Sequence, residues 1–521
     1  MIYESSYDSG RLPFKPDLTR GYWAKSSDFV FTGISLAFRL DIFSVVWMAF
    51  TYAGCAGVLP YIICLFLFVV PLFVMQSFMG QFSSSGFISS FRIAPLFKGI
   101  GYISLAVNLG VLTYYSVLAA VPLLYLFHSL RPTLPWSCEG LKDWSANVTE
   151  NPVKHLCHML TNDTTPNANF SWFVMHEIPS NLFLKTRFNN LELFEPNDEG
   201  FYISWEILLC TFLTWTIISS IFYKCRSIEK LGTVLRYLIF ITLALLLITV
   251  IRFSLVPSNL TQAIYDFFIP NRFTLIQSFS CVSIFVISVF GAGWGTVISL
   301  ASFNKFKSPI TQIAGLFAWD KCSYFSPSRL SSLSQIIILM EAYDEQNPNS
   351  YAFINKLWVL YLSTGSVLAE MSWPNLWCII FYLMLILTAL ITMSICLLST
   401  LQSIFDDFEN YRTRKTEITF IVIGLLAICS LYTCSNQGVF LHVIFANDTV
   451  VTQTALNLLL FLVVLWVYGR VRFQRDLEFM LSERFSNCKI YMLRFVSPLC
   501  LIVMLLATFS LPSCTIMLAL G

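Results

Sequence analysis

Long apolar segments alternate with shorter polar ones along most of this chain. Windows of about 20 apolar residues begin near Phe29, Val58, Ile100, Ser204, Val234, Phe279, Trp377, Ile418, Val451 and Met492. Segments of that length predict helices that cross a lipid bilayer, because a helix satisfies its own backbone polar groups where no water is present. We therefore predict an all-α, polytopic membrane protein.

The stretch between Lys307 and Pro374 is expected to contain one further, degenerate crossing. It begins at a basic connection and must end on the opposite side of the membrane. Its apolar runs are short, however, and one is interrupted by Asp320 and Lys321. We expect a seventh span that packs against protein rather than lipid. The total is then about 11 spans, without a twelfth after the one near Met492, and the C-terminus lies outside.

Basic residues occur in alternate connections, which orients the chain. They are Arg92 and Lys98; Lys224, Arg226, Lys230 and Arg236; Lys305 and Lys307; Arg412, Arg414 and Lys415; and Arg470, Arg472 and Arg475. By the positive-inside rule these connections are cytoplasmic. The others carry the glycosylation sequons Asn147, Asn162, Asn169, Asn259 and Asn447, which are used on the outer side. We expect residues 1–27 to be a cytoplasmic segment and 28–521 a single transmembrane domain with a glycosylatable extracellular loop at 130–203.

Composition supports the membrane assignment and excludes several other classes. The chain is 56% hydrophobic and 12% charged, with a mean hydropathy of +0.69, unlike soluble globular proteins. A net charge of +2 gives no sign of a nucleic-acid partner, and the oligomeric state is not determined. Cys138 and Cys157 lie in the oxidising extracellular loop and could form one disulfide. No enzyme motif and no metal-ligand spacing of histidines occur.

A pair of charged residues stands near the middle of the first apolar window. Arg39 and Asp41 would each cost roughly 2.5 to 3.5 kcal/mol at the bilayer centre, so such residues usually face a cavity or a partner. Two residues apart on a helix, they point to nearly opposite sides, and a direct salt bridge requires the helix to be broken there. A broken helix at membrane depth is itself a signature of a functional site.

Several short motifs follow one another in an order that resembles one transporter family. They are Arg20-x-x-Trp23, Pro71 to Phe82, Ser89 to Tyr102, Leu134-Pro135-Trp136 with Cys138, Ala301 to Phe306, Trp466 to Asp476, and Phe495 to Pro498. This set resembles the neurotransmitter:sodium symporter family, solute carrier family 6, which has the fold of the bacterial leucine transporter. The resemblance implies an inverted repeat of spans one to five and six to ten. The substrate then binds at the midplane, where helices 1 and 6 are broken.

The resemblance also assigns candidate site residues. It places residues 37–42 on the unwound segment of the first span, and Gly291, Gly293 and Gly295 supply flexible backbone for the break in the sixth. The implied substrate site comprises Ala37, Arg39, Asp41, Val111, Tyr115, Ser288, Gly291, Trp294 and Thr392. The implied cytoplasmic gate comprises Arg20, Trp23 and Asp406. Pairing of Arg20 with Asp406 would favour one of two access states.

The ion sites depart from the family pattern. A bare Na⁺ needs about five or six oxygen ligands, but Ile42, Val289 and Ile391 stand where the family has polar ligands. The candidate ligands that are left are Ala37, Phe38, Asp41, Thr388 and Thr392. Asp41 could bind a cation or be protonated, so Na⁺ and H⁺ are both candidate coupling ions; alternatively, Arg39 and Asp41 pair and plug the site. No other metal and no organic cofactor is expected.

Two functions follow from these patterns. The first is a secondary active transporter that moves a small amino acid or amine-like solute across the plasma membrane by alternating access. Arg39 favours a substrate with a carboxylate. The second is a transport-inactive family member that serves as a binding or trafficking partner, which the lost ion ligands favour.

Overall fold

The structure is a computed structural model that describes a set of long apolar helices. It covers residues 20–36, 39–40, 58–137, 140, 180, 183–184, 187, 202–254, 295–310, 365, 368–369, 371–435, 438, 451–481 and 486–510. Within them, eight helices are long and apolar enough to cross a membrane. These eight coincide with eight of the predicted windows. The windows near Phe29 and Phe279 and the expected seventh span lie mainly outside the described residues.

Helices account for nearly all regular structure in the described residues, where β-structure is limited to one bridge between Ile203 and Ser435. In chain order they are α1 (Ser26–Ser35), α2 (Val58–Cys64 and Val70–Ser83, joined by the π-helical turn Leu65–Val69), α3 (Gly99–Ser129), α4 (Trp205–Lys224), α5 (Ile228–Ser254), α6 (Thr296–Ala301), α7 (Pro374–Asp407), α8 (Lys415–Thr433), α9 (Val451–Leu481, with a π-helical turn at Val463–Gly469) and α10 (Asn487–Tyr491 and Ser497–Ser510, joined by the π-helical turn Met492–Val496). Short 3₁₀ helices at Ser89–Ile93, Pro95–Phe97 and Glu409–Arg414 lie between them. The chain is an all-α, multi-pass membrane protein.

Helices α3 and α7 form the centre of the described structure. In each, 78% of the most apolar window is buried by other parts of the protein, against 17% for the window that contains α8. α3 and α7 pack along each other, and α4 and α5 pack beside them. Apolar side chains on the outer helices are left to face lipid, where they need no protein partner. Residues of α3 and α7 therefore line the interior, in which a site can be built.

A proline in α2 shows how this fold accommodates an interrupted helix. Pro71 has no backbone N–H, so it cannot donate to the carbonyl of Leu67 four residues earlier. The hydroxyl of Ser497, on α10, donates to that carbonyl at 2.6 Å instead. The surrounding turn is π-helical, a local adjustment that membrane helices use around proline. This hydrogen bond joins α2 to α10. It uses the Leu67 carbonyl, which lacks its usual helical donor because residue 71 is proline.

Several basic residues that the sequence places in cytoplasmic connections lie in helices instead. Lys224 is in α4, Lys415 is in α8, and Arg470, Arg472 and Arg475 are in α9. Lys230 and Arg236 are both part of α5, and the connection from α4 is only residues 225–227. The apolar window near Val234 marks where side chains become apolar. The helix itself starts earlier, since backbone hydrogen bonding does not depend on apolar side chains. The correction matters because Arg236 then lies between helices.

Helices α2 and α6 meet at very short distance. A Cβ atom on Gly80 would lie 1.9 Å from the carbonyl oxygen of Ile298, so only glycine fits at this crossing. Immediately before α6, Gly295 has φ +70°, and a Cβ there would lie 2.5 Å from that of Phe87. This left-handed conformation interrupts any helix that reaches α6 from its N-terminal side.

Candidate functional site

The first helix ends before the charged residues of its apolar window. α1 ends at Ser35, Leu36 forms a turn, and Arg39 is not helical. The backbone N–H of Leu40 donates to the hydroxyl of Tyr115 at 2.9 Å. A side chain on α3 thus satisfies a backbone donor at membrane depth, which irregular backbone requires wherever protein surrounds it. The described residues are consistent with an unwound segment here.

Three of the predicted substrate-site residues come together around this interruption. Arg39, Val111 and Tyr115 are each only 1% exposed. Val111 and Tyr115 lie one turn apart on α3 and belong to the same buried cluster as Leu40. A guanidinium buried at this depth is stable only beside an anion or several strong acceptors. Arg39 therefore marks this region as one that must supply an anion or several acceptors.

The hydroxyls predicted as ion ligands on α7 point along their own helix. Thr392 donates to the carbonyl of Thr388 at 3.0 Å, and Thr388 donates to that of Met384 at 2.8 Å. Both threonines are buried, at 1% and 3% exposure. Each hydroxyl oxygen keeps lone pairs that can accept a hydrogen bond or bind a cation. Neither hydroxyl carries the negative charge that attracts a cation.

A small cavity lies between α1, α5 and α7, next to these threonines. It is lined by Ser35, Ile239, Thr242, Leu243, Thr388 and Ile391. The lining therefore offers three hydroxyls and three aliphatic side chains, whereas a hard cation needs about six oxygens. These residues do not by themselves fit a sodium ion. The candidate ligands Ala37, Phe38 and Asp41 lie outside the described residues.

The predicted gate residues Arg20 and Asp406 form a buried ion pair. Arg20 Nη1 lies 3.1 Å from Asp406 Oδ2, and both side chains are 4% exposed. The guanidinium also donates to the Ser84 carbonyl and the Ser302 hydroxyl. It stacks on the Phe303 ring at 4.5 Å. One arginine therefore joins the segment before α1 to α7, to the end of α2 and to the end of α6.

Asp406 has further donors besides Arg20. The backbone N–H of Gly86 donates to Oδ2 and the amide of Gln402 donates to Oδ1, both at 2.7 Å. A Cβ atom on Gly86 would lie 2.4 Å from Ser403 Oγ, so glycine allows this loop to approach α7. The carboxylate therefore remains hydrogen-bonded even when Arg20 leaves, which lowers the cost of separating the pair.

Trp23 is held in a buried position beside the ion pair, at 6% exposure. Its indole N–H donates to the Leu300 carbonyl at 2.9 Å, and its backbone N–H donates to the Phe303 carbonyl at 3.1 Å. The ring lies against Gly232 of α5, where a Cβ would be 2.8 Å away. Trp23 thus packs between α6 and α5, as Gly232 permits.

Two charged clusters near this end of the structure were not predicted as sites. Asp407 binds Lys98 at 2.5 Å and the Tyr102 hydroxyl at 2.6 Å. Asp28 forms an ion pair with Arg236 at 2.7 Å. The sequence carried one signal for the second pair, an acidic residue beside the first apolar window, but Arg236 was assigned to a loop.

The remaining predicted residues lie outside the part of the chain that the structure describes. For the substrate and ion sites these are Ala37, Phe38, Asp41, Ser288, Gly291 and Trp294; for the loops they are Cys138, Cys157, Asn147, Asn162, Asn169, Asn259 and Asn447. Their roles, the disulfide and the glycosylation stay predictions.

Comparison with known families decides the class of this protein. The model of the Sodium:neurotransmitter symporter family matches residues 20–516. The chain belongs to this family. Membership makes it one of a family of transporters rather than enzymes, and the family is sodium-coupled.

Individual members of the symporter family are similar to this chain at low identity. The sodium- and chloride-dependent neutral and basic amino acid transporter B(0+) of Mus musculus is 25% identical over 497 residues, covering 89% of this chain and 75% of that protein. The sodium-dependent nutrient amino acid transporter 1 of Drosophila melanogaster is 26% identical, covering 91% and 75%. The sodium- and chloride-dependent glycine transporter 2 of Xenopus laevis is 23% identical, covering 92% and 63%.

Proposed function

We propose that this symporter-family chain is a secondary active transporter for a small amino acid or amine-like solute with a carboxylate group. It works by alternating access in the plasma membrane, with the N-terminus in the cytoplasm and an inverted five-plus-five repeat. The similarity to the amino acid transporters named above supports the substrate class.

The observation that carries this proposal is the interrupted first helix around a buried arginine. Arg39 is non-helical and 1% exposed, and Tyr115 supports the adjacent backbone at 2.9 Å from Leu40 N. A planar guanidinium binds a carboxylate through two parallel hydrogen bonds. Asp41 is the nearest anion to Arg39 in the sequence, and a substrate carboxylate would bind the guanidinium in its place or beside it.

The Arg20–Asp406 pair supports the alternating-access part of the proposal. In this arrangement the pair and Trp23 close the predicted cytoplasmic side. Because Asp406 keeps Gly86 and Gln402 as donors, the pair can separate without leaving a bare carboxylate. Such a contact can bias two access states without locking either of them.

The coupling ion is the point at which this chain departs from its family. The cavity beside Thr388 holds hydroxyls and aliphatic side chains, so Asp41 would supply the charge for Na⁺ or take up a proton. Uptake of labelled amino acids and amines into oocytes, with Na⁺, Cl⁻ and pH varied separately, distinguishes these ions. Undiminished uptake by Asp41→Asn at every pH would exclude proton coupling through this residue.

Substitution of Arg39 tests the substrate class directly. Loss of a charge-assisted contact costs about 1.5–3 kcal/mol, so Arg39→Met should raise the KM for an amino acid roughly tenfold to hundredfold. The methyl ester of the same amino acid lacks the carboxylate, and its uptake should not weaken further. Arg226→Met, at an exposed arginine that stacks on Tyr223, is the matched control, with surface biotinylation to normalise expression.

The outcome that contradicts the proposal is equal discrimination between acid and ester by wild type and Arg39→Met. The apolar Ile391 beside the cavity also favours a second function, a transport-inactive member that serves as a binding or trafficking partner. That function predicts no saturable uptake of any tested solute, despite normal surface expression.

A further inference from the structure

The contact between Asp28 and Arg236 is a buried charge pair that joins α1 to α5. Arg236 Nη1 lies 2.7 Å from Asp28 Oδ1, and the two side chains are 14% and 0% exposed. The second carboxylate oxygen of Asp28 accepts a hydrogen bond from the backbone N–H of Lys25 at 3.1 Å. We propose that this pair is a second latch of the cytoplasmic pathway, which holds α1 against α5 while the pathway is closed. The inference rests on the proposed transport function for its two access states.

The latch lies within a regular line of contacts between the two elements. Gly232, Arg236 and Phe240 are spaced four residues apart and so share one face of α5. Gly232 contacts the ring of Trp23. Phe240 packs on Phe31 with ring centroids 4.7 Å apart. The charged pair therefore sits between two aromatic contacts, with the Asp28 side chain fully buried.

This latch differs from the Arg20–Asp406 pair in what it joins and in what remains after it opens. Arg20 ties the segment before α1 to α7, whereas Asp28 ties α1 itself to α5. Asp406 keeps a backbone and a side-chain donor after separation, whereas among the described residues Asp28 keeps only the Lys25 N–H. Movement of α1 away from α5 must therefore expose both charges of the second latch to water.

The energetic consequence is that loss of Arg20 frees the segment before α1 and favours the open state, whereas full movement of α1 also requires separation of Asp28 from Arg236. The contact between Phe31 and Phe240 can be replaced by lipid at low cost, because lipid tails are as apolar as these side chains. A buried ion pair is different, since removal of one partner leaves a charge without compensation. Arg236 thus acts as a positioning residue for the predicted gate, through Asp28.

Hydrogen exchange measured by mass spectrometry on the full-length purified protein tests this latch. Arg236→Met keeps the length of the side chain and removes its charge. Amides of α1 should then exchange roughly tenfold faster, because local opening becomes easier, while α3 stays as protected as in wild type. Lys230→Met, at an exposed position on the same helix, is the control and should change neither helix. Arg236→Lys should restore most of the protection of α1.

A double substitution separates the latch from a general loss of stability. Asp28→Asn should also speed exchange in α1, and Asp28→Asn with Arg236→Met should be no faster than the faster single variant, because both remove one interaction. Additive effects, equal acceleration in α3, or no change in α1 would each overturn the proposal. If Arg236→Met does not fold, Asp28→Asn and Arg236→Lys carry the comparison.

Exchange is measured without substrate. Failure of uptake by the wild-type chain would refute the proposed transport but leave the hydrogen-exchange result standing. Unchanged exchange in α1 of the variants would refute the latch but leave the proposed transport standing.

Discussion

Removal of the Arg20 guanidinium should open the predicted cytoplasmic side to a calculable extent. The residue makes an ion pair at 3.1 Å with both side chains 4% exposed, and it stacks on Phe303 at 4.5 Å. Breaking a buried pair by removing one partner costs about 3–5 kcal/mol. Asp406 retains two other donors here, so we expect about 2 kcal/mol for Arg20→Met, or roughly a 30-fold shift in the equilibrium between closed and open states.

Trp23 reports that shift, because it is 6% exposed when packed against α5 and α6. Hydroxyl-radical footprinting should show several-fold faster oxidation of Trp23 in Arg20→Met than in wild type. Arg20→Lys should lie between them, since lysine keeps the charge but loses the planar stack. Lys25→Met, an exposed neighbour, is the control. Oxidation of Trp23 at the wild-type rate in a folded Arg20→Met protein would refute the reasoning.

Two further predictions concern the helix crossings. Gly80→Ala places a Cβ 1.9 Å from the Ile298 carbonyl oxygen, so we expect at least about 3 kcal/mol of destabilisation and loss of the monodisperse peak in size-exclusion chromatography. Gly424→Ala has open space around it and should be tolerated. Ser497→Ala should lose about 1 kcal/mol in reversible unfolding. The loss should vanish in a Pro71→Ala background, where the residue regains an N–H for the carbonyl; a persistent loss would contradict the assigned bond.

The apolar windows located eight of the described helices because helices in lipid need long apolar stretches, which leave a strong hydropathy signal. Helix ends were less well predicted. Arg236 was placed in a loop, but it lies inside α5 and reaches Asp28. Sequence shows where side chains stop being apolar, whereas the end of a helix is set by backbone hydrogen bonds and by the helices packed beside it.

The charge at Arg39 was visible in the sequence as an energetic anomaly, and the motifs shared with the symporter family gave it a place in a transporter fold. Local chemistry determined the anomaly, because it can be read from neighbouring residues, and the resemblance to the family determined its place in the fold. Only the tertiary structure decided that Tyr115 holds the backbone beside Arg39, that Gly86 and Gln402 share Asp406 with Arg20, and that Arg236 meets Asp28. Leu40 and Tyr115 are 75 positions apart in the chain, and Gly86 and Asp406 are 320 apart. Such pairings arise from packing rather than from any pattern that one segment carries.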